Sequence, residues 1–411
     1  MSRPLLLGLA ALVFLPAAHI LCAQGAPTLD GYVTRAGTAE NFDVDGTHIT
    51  CNPVPTEPGL VCTPYVYGQH LLIYGKRDKR SHTIAADRIE AAKDPAETHI
   101  TGFALIDGIL SPTLIRADGY AMELTPATKQ AWNPPLTASA KPEVNQWIEY
   151  EGLRHGRILT LKQISFFAGI VTAKEQNLRN KTDFDASAVT EEDRQSGASK
   201  FFRGVDYKRI PAVHDPDLQT RLNNIGQRLI PKWQKDLPVG DPNKIDFQFQ
   251  LVDAKWSDCM TMPSGVILVP AYIADKLDDD ELATVLADNI ATALEKQTFR
   301  YSAECKAMLA SSVAGDVAGL FVPGLSLLPI AGNATAAHTI KKHLREQSGR
   351  VSLVLLHDAG FDIRKAPLAW WELSARQPDF MTRPIPYRAA YLFSQLATEW
   401  SSGSPILSSG M

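Results

Sequence analysis

The run Asp278-Asp279-Asp280-Glu281-Leu282-Ala283-Thr284-Val285-Leu286-Ala287-Asp288-Asn289-Ile290-Ala291-Thr292-Ala293-Leu294 decides how the second half of this chain is read. Asp278 followed three residues later by Glu281 is a capping-box start, in which each side chain accepts a backbone N–H from the other residue. Leu282, Val285, Leu286, Ile290 and Leu294 recur at helical spacing, which predicts one apolar face continuing to about Gln297. Three polar residues, Asp288, Asn289 and Thr292, cluster in the second half of this largely apolar helix.

Working outward, Asp215-Pro216-Asp217 predicts an earlier helix start, followed by Leu218, Leu222, Ile225, Leu229 and Ile230 at helical spacing. Ile245 to Val252 alternates as a strand around Phe247-Gln248-Phe249. The loop Asp258-Cys259-Met260-Thr261-Met262-Pro263-Ser264-Gly265 leads into a second strand, Gly265-Val266-Ile267-Leu268-Val269-Pro270, beside the first. Met308 to Ile340 is apolar but broken by Asp316, Pro323, Gly324 and Pro329, so its helical runs fall short of the ~20 residues that span a bilayer. A buried helical hairpin is the preferred reading there, with a membrane-dipping element as the alternative. Trp370-Trp371 reads as core packing.

The first half has a different grammar. From Leu29 to Phe167 short alternating strands are punctuated by Gly, Pro and Asp, as in Asn41 to Ile49 and Gln69 to Gly75. Gly31-Tyr32-Val33, Gln69 to Gly75 and Ser81 to Ile89 are echoed by Gly102-Phe103-Ala104, Gln146 to Gly152 and Arg157 to Ile164. This period of about 75 residues predicts a duplication of one small β-barrel. The two barrels resemble the OB-like modules that precede other domains in secreted bacterial proteins. No stacking face of aromatics over a basic groove accompanies them, so a spacer or docking role is expected.

At 411 residues the chain has room for two to three domains of roughly 150 residues. Hydrophobic residues at 45% and charged residues at 21% exclude wholesale disorder, and 41 basic against 45 acidic residues, a net −4, argues against nucleic acid as the partner. Arg3, the apolar stretch Leu5 to Ile20 and the small residues around Cys22-Ala23-Gln24-Gly25 predict an export signal cleaved after Ala23 or Gly25. Lipidation at Cys22 is the alternative, disfavoured by Leu21 before it. In an oxidising compartment Cys51 and Cys62, flanking the turn-rich segment Asn52 to Gly59, are a candidate disulfide, the alternative being two separate buried thiols; Cys259 and Cys305 stay unassigned.

Residues 205–397 resemble, in element order, the catalytic domain of the M48 zinc metallopeptidases. The resemblance rests on the leading helix, Phe247-Gln248-Phe249, the loop ending Pro263-Ser264-Gly265, Glu281 to Leu286, Ala359-Gly360-Phe361-Asp362, and Thr382-Arg383-Pro384 with Arg388. The family's His-Glu-x-x-His motif supplies two imidazoles one turn apart to bind zinc and a glutamate to deprotonate the metal-bound water. Here Asp288 stands for the first histidine, Asn289 for the glutamate and Thr292 for the second histidine. The third-ligand position falls on Arg345, with Gly349 where an aspartate is usual, or on Glu346 after a one-residue slip. Arg383 replaces a later histidine.

An asparagine amide accepts no proton near neutral pH, and a cation at a ligand position repels a divalent metal. The resemblance therefore implies a peptidase scaffold without its zinc chemistry, no cofactor, and no catalytic residue among Asp288, Asn289, Thr292, Arg345 and Arg383. Asp288 is expected to pair with Arg345 across the old site, or else the three helix residues form a polar face without a role. His338, His343 and His357 lack metal-ligand spacing; a relocated site from Asp288, His343 and Glu346 is the minor alternative.

The expected architecture is α+β: a signal at 1–23, OB-like barrels at 28–95 and 96–170, a polar linker at 171–204, a mainly helical metallopeptidase-like domain with a small sheet at 205–397, and a flexible tail at 398–411. The expected function is an exported pseudopeptidase, periplasmic or extracellular, that binds a polypeptide or envelope protein. The binding edge is expected at Pro263, Gly265, Val266, Ile267, Leu268 and Val269, where an extended chain would add to the sheet. Two alternatives are an active zinc-dependent metalloendopeptidase with a rearranged site, and ligand binding by the N-terminal modules. Membrane association is not favoured, and the oligomeric state is left open.

Overall fold

The computed structural model describes residues 26–38, 40–51, 64–66, 69–78, 83–92, 98–137, 141–155, 158–168, 173–184, 192, 199–200, 210–300, 333–374 and 386–400. The export signal, Cys22, Cys62, Cys305, Arg383, most of the apolar 308–340 stretch and the tail from 401 lie outside them.

Strands β1 (Leu29–Thr38), β2 (Asn41–Val44), β3 (Thr47–Cys51), β4 (His70–Asp78) and β5 (Thr83–Ala91) close into a barrel in the order β1-β2-β3-β5-β4. Alternate residues point inward, and Val33, Phe42, Val44, Ile49, Leu71 and Ile73 fill the interior. A second ring follows from β6 (Thr98–Ser111), β7 (Leu114–Ala117), β8 (Tyr120–Glu123), β10 (Trp147–His155) and β11 (Ile158–Phe167), with the short β9 (Lys129–Trp132) added on β11.

The two rings share one topology. In each, the third and fifth strands pair in parallel, His48 to Cys51 against Thr83 to Ala86 and Ala121 to Glu123 against Ile158 to Thr160. The register of the fourth strand slips at Tyr74/Gly75 in one ring and at Glu151/Gly152 in the other. A Cβ on either glycine would meet a carbonyl oxygen of the fifth strand, Ala85 O at 2.1 Å or Thr160 O at 2.7 Å, so this bulge needs a residue without a side chain. Each second hairpin turns on Asp-Gly with both residues at positive φ, Asp45-Gly46 (45° and 71°) and Asp118-Gly119 (54° and 72°), the geometry matched to strand twist. The segments that echo one another in sequence thus occupy equivalent strands.

The polar 171–204 segment contains helix α1 (Ala173–Thr182) and β12 (Ser199–Lys200), which pairs with β13 (Ile210–Pro211). Although nearly devoid of apolar residues, α1 buries Glu175, Arg179 and Thr182. Arg179 Nη2 donates to Glu175 Oε1 at 2.8 Å, Lys296 Nζ donates to Glu175 Oε2 at 3.1 Å, and Ser264 Oγ donates to Thr182 O at 2.6 Å. Beyond α1, Phe184 packs on Val252, Met262, Val266 and Leu268, the outer face of the small sheet. The expected linker therefore includes a docked strap.

In the helical region, α2 (Pro216–Leu229) starts at Asp215, whose side chain accepts from Leu218 N; the short α3 (Lys232–Asp236) follows. Strands β14 (Gln248–Val252), β15 (Met260–Thr261) and β16 (Val266–Pro270) form a sheet of order β14-β16-β15. After α4 (Ala271–Lys276) comes α5 (Asp279–Leu294), with both halves of the Asp278/Glu281 capping box made. It is buried almost all round rather than on one face, because Ala283, Ala287 and Ala291 let neighbouring elements close on it. Each large apolar side chain in it, such as Leu286 or Ile290, contributes about 1.5–3 kcal/mol by leaving water. Helices α6 (Asn333–Asp358), α7 (Ala366–Ser374) and α8 (Tyr387–Gln395) complete the layer, and a π-helical turn, Leu396–Trp400, ends it. No helix among the described residues is long and apolar enough to cross a membrane.

Candidate functional site

The polar residues of α5 meet the rest of the fold in one cleft, lined by Asp288, Arg345, Gly349, Trp370, Tyr387, Arg388, Tyr391 and Leu392, with an interior of ≈ 10 Å³. A space of that size holds about one water molecule. Asp288 is 4% exposed. Ser348 Oγ lies 2.8 Å from its Oδ1, and Arg388 Nη2 lies 3.5 Å from its Oδ2. Arg388 also donates from Nη1 to Asp258 Oδ2 at 2.6 Å and stacks over the Trp370 ring at 4.1 Å. One carboxylate thus ties α5 to α6 and α8, and Arg388 extends the tie to the loop before β15.

Burial pushes the Asp288 carboxyl above the usual carboxylate range; Arg388 opposes the rise and Asp258 adds to it. Burial works against the charge of Arg388, but Asp258 and Asp288 together raise its pKa. Arg345 was the expected partner of Asp288, and the structure corrects this. Arg345 makes no ion pair with Asp288, and its pKa is lowered by burial and then by the like charge of Arg388. The reason is geometric: α8 brings Arg388 over the Asp288 carboxyl, whereas Arg345 stands exposed at the rim.

Asn289 is also committed internally. Its Nδ2 donates to Val285 O at 2.8 Å, and its Oδ1 accepts from Thr261 Oγ1 at 2.5 Å. Thr292 Oγ1 donates to Asp288 O at 2.9 Å, a bond that stays on its own helix. Neither side chain is placed to activate a water molecule. The donor set does not fit zinc: among the described residues no three His, Cys, Asp or Glu side chains cluster as a metal site requires, and a guanidinium faces Asp288. Glu346 bonds instead with Tyr387 and lies 3.5 Å from His343.

The expected binding edge is corrected as well. Val266, Ile267, Leu268 and Val269 form the central strand, entirely buried, with β14 parallel on one side and β15 antiparallel on the other. Pro263 and Gly265 lie in the turn joining β15 to β16, closed by Gly265 N donating to Met262 O at 3.0 Å. The outer side of β14 is capped, since Val213 N donates to Leu251 O and Gln219 accepts from Leu251 N. No described strand pairs with the outer side of Met260–Thr261. That short strand is the sheet's remaining edge, beside Asn289, and Met260 is 39% exposed.

Reading the sequence missed Ser348 and Asp258 as partners, and it missed the Met260–Thr261 edge. One signal was available: a lone acid inside an apolar helix needs a buried donor, and Arg388 was already among the residues carrying the resemblance. Cys51 is disulfide-bonded; the expected partner Cys62 is not among the described residues. No protein-family model matches this chain, and no curated protein matches it.

Proposed function

We propose that this chain is an exported M48-like pseudopeptidase whose helical domain binds an extended polypeptide, such as a segment of an envelope protein, along the Met260–Thr261 edge. The observation that carries the reading is the bonding of Asp288. At the position where the resemblance calls for a metal-binding imidazole, a buried carboxylate is held by Ser348 and Arg388, and the neighbouring Asn289 has no proton-accepting group. Hydrolysis needs an activated water, whereas binding by strand addition needs only backbone donors and acceptors on an open edge.

Two measurements test this. Elemental analysis of the mature protein, beside Asp288→Ala, is expected to find no stoichiometric zinc in either; near-stoichiometric zinc lost in the variant would restore a remodelled peptidase. An array of immobilised extended peptides is expected to capture the protein and to lose it on Thr261→Pro. Met260 and Met262 bond to β16, so the Thr261 N–H points away from it; proline there removes an outward donor while sparing the sheet. Capture unaffected by this substitution overturns the assignment of the edge.

A further inference from the structure

The cleft lined by Arg388, which Asp258 reaches from two residues before this edge, carries an inverted charge pattern. Asp288 and Asp258 are both taken by Arg388. Arg345, in the same cleft, accepts from Ser348 Oγ at its backbone carbonyl, but its side chain makes no hydrogen bond or ion pair among the described residues. Its guanidinium offers five N–H donors in a planar fork that matches a carboxylate, and it is exposed. Exposed Lys341 and Lys342 lie one turn before it; the acid on the same helix, Glu346, bonds with Tyr387 and lies 3.9 Å from Lys342 and 3.5 Å from His343. The walls are aromatic, from Trp370, Tyr387 and Tyr391. An anion at the mouth would pair the free fork and screen the repulsion between Arg345 and Arg388.

We propose that Arg345 is the anchor of a carboxylate subsite, taking the C-terminus or an acidic side chain of the bound polypeptide. The inference rests on the polypeptide-binding reading above and specifies its ligand. An open edge strand near a cleft with a free guanidinium recognises an extended segment that carries a negative group beyond its last paired residue.

The test uses the full mature protein and three fluorescein-labelled peptides of one core sequence, Gly-Val-Thr-Val-Leu: with a free C-terminal carboxylate, with a C-terminal amide, and amidated with glutamate added as the last residue. At low salt one or both carboxylate forms are expected to bind at least tenfold tighter than the plain amide. Arg345→Gln should remove that advantage and leave the amide unchanged, and Arg345→Lys should keep part of it, since charge survives without the fork. Which carboxylate form gains tells a C-terminus from an acidic side chain.

Equal binding of all three peptides, unchanged in Arg345→Gln, overturns the subsite and leaves edge binding standing. Thermal stabilisation by succinate in the parent but not in Arg345→Gln, with no peptide bound, keeps the subsite and overturns the polypeptide reading. Neither effect overturns both. The Arg345 side chain is exposed and makes no bond among the described residues, and its backbone carbonyl bond to Ser348 survives substitution, so its variants are expected to keep the parent melting temperature.

Discussion

Arg388 holds two carboxylates and covers a tryptophan face, so its loss is felt three times over. Arg388→Met keeps the apolar stem but strands Asp288, and the expected destabilisation is about 3 kcal/mol, the low end for a broken buried pair because Asp258 keeps contact with water. Ser348→Ala removes one hydrogen bond to the same carboxyl and should cost about 1–2 kcal/mol. Urea unfolding measures both, and a smaller loss for Arg388→Met than for Ser348→Ala would mean that Arg388 is not the main support. Asp45 is a separate case at this scale. Burial lifts its carboxyl from 3.8 to about 7, against the pull of the Tyr32 amide that donates to it at 3.0 Å. The folded state then binds the proton more tightly than the unfolded chain. This contribution is complete below about pH 4 and is lost as the pH rises through 7. Between pH 5 and 8 the melting temperature should fall by an amount equivalent to about 1–3 kcal/mol, and Asp45→Asn should flatten the slope. A slope unchanged in the variant would assign it to another group.

Helix α1 shows how an element without an apolar face is fixed. Glu175 lies between Arg179 and Lys296, and Arg179 Nη1 also donates to Pro242 O at 3.0 Å. The burial that lowers the Lys296 pKa is opposed by this same glutamate, so each charge depends on the other. Glu175→Ala leaves two cations facing each other in a largely buried setting. It is expected to destabilise the protein by about 2–4 kcal/mol and to make the 173–182 amides the first to gain hydrogen exchange. Exchange that rises first elsewhere would show that the strap is held by Phe184 instead. The small sheet makes a related point. Alternation identified β16 as a strand, but a strand's own pattern cannot say whether it is central or at an edge; that depends on which segments return beside it.

Across the whole molecule, both Asp-Gly hairpin tips press on the helical layer. Gly46 sits against the Phe393 ring and Gly119 against Arg350, each too close for a Cβ. Arg350 Nη2 donates to Asp118 Oδ1 at 2.5 Å and its Nη1 to Tyr391 Oη at 2.8 Å, while Tyr150 donates to Asp118 from the barrel side. Gln347 Nε2 donates to Phe103 O at 3.0 Å, and Arg116 bridges Asp107 and Asp358 at 2.8 and 2.9 Å. The bonds of Arg350 to Asp118, Gln347 to Phe103 and Arg116 to Asp358 cross from the second barrel to α6 in a setting with little water. Calorimetry of the full chain should therefore give one unfolding transition for that barrel and the helices together, and Asp118→Ala should lower it by about 3–5 kcal/mol. Two resolved transitions, with only one moved by the variant, would show independent units. A spacer that swings freely is not what this interface describes.

The local elements were legible along the chain: the capped helix at 279–294, the helix start at Asp215, the paired strands at 248–252 and 266–270, and the repeated strand grammar behind two closed barrels. Each is written in neighbours a few residues apart, through side-chain caps, periodicity, Asp-Gly turns and bulge glycines. That Asn289 could not act as a base was legible too, because that is a property of the side chain alone. Partnership, by contrast, was settled by the packing. Asp288 takes Arg388 rather than Arg345, Met260–Thr261 rather than Val266–Val269 is the open edge, and the polar linker includes a docked strap. Those outcomes depend on which of several compatible groups, far apart in the chain, the packing of helices and strands brings within bonding distance, and no local pattern encodes that choice.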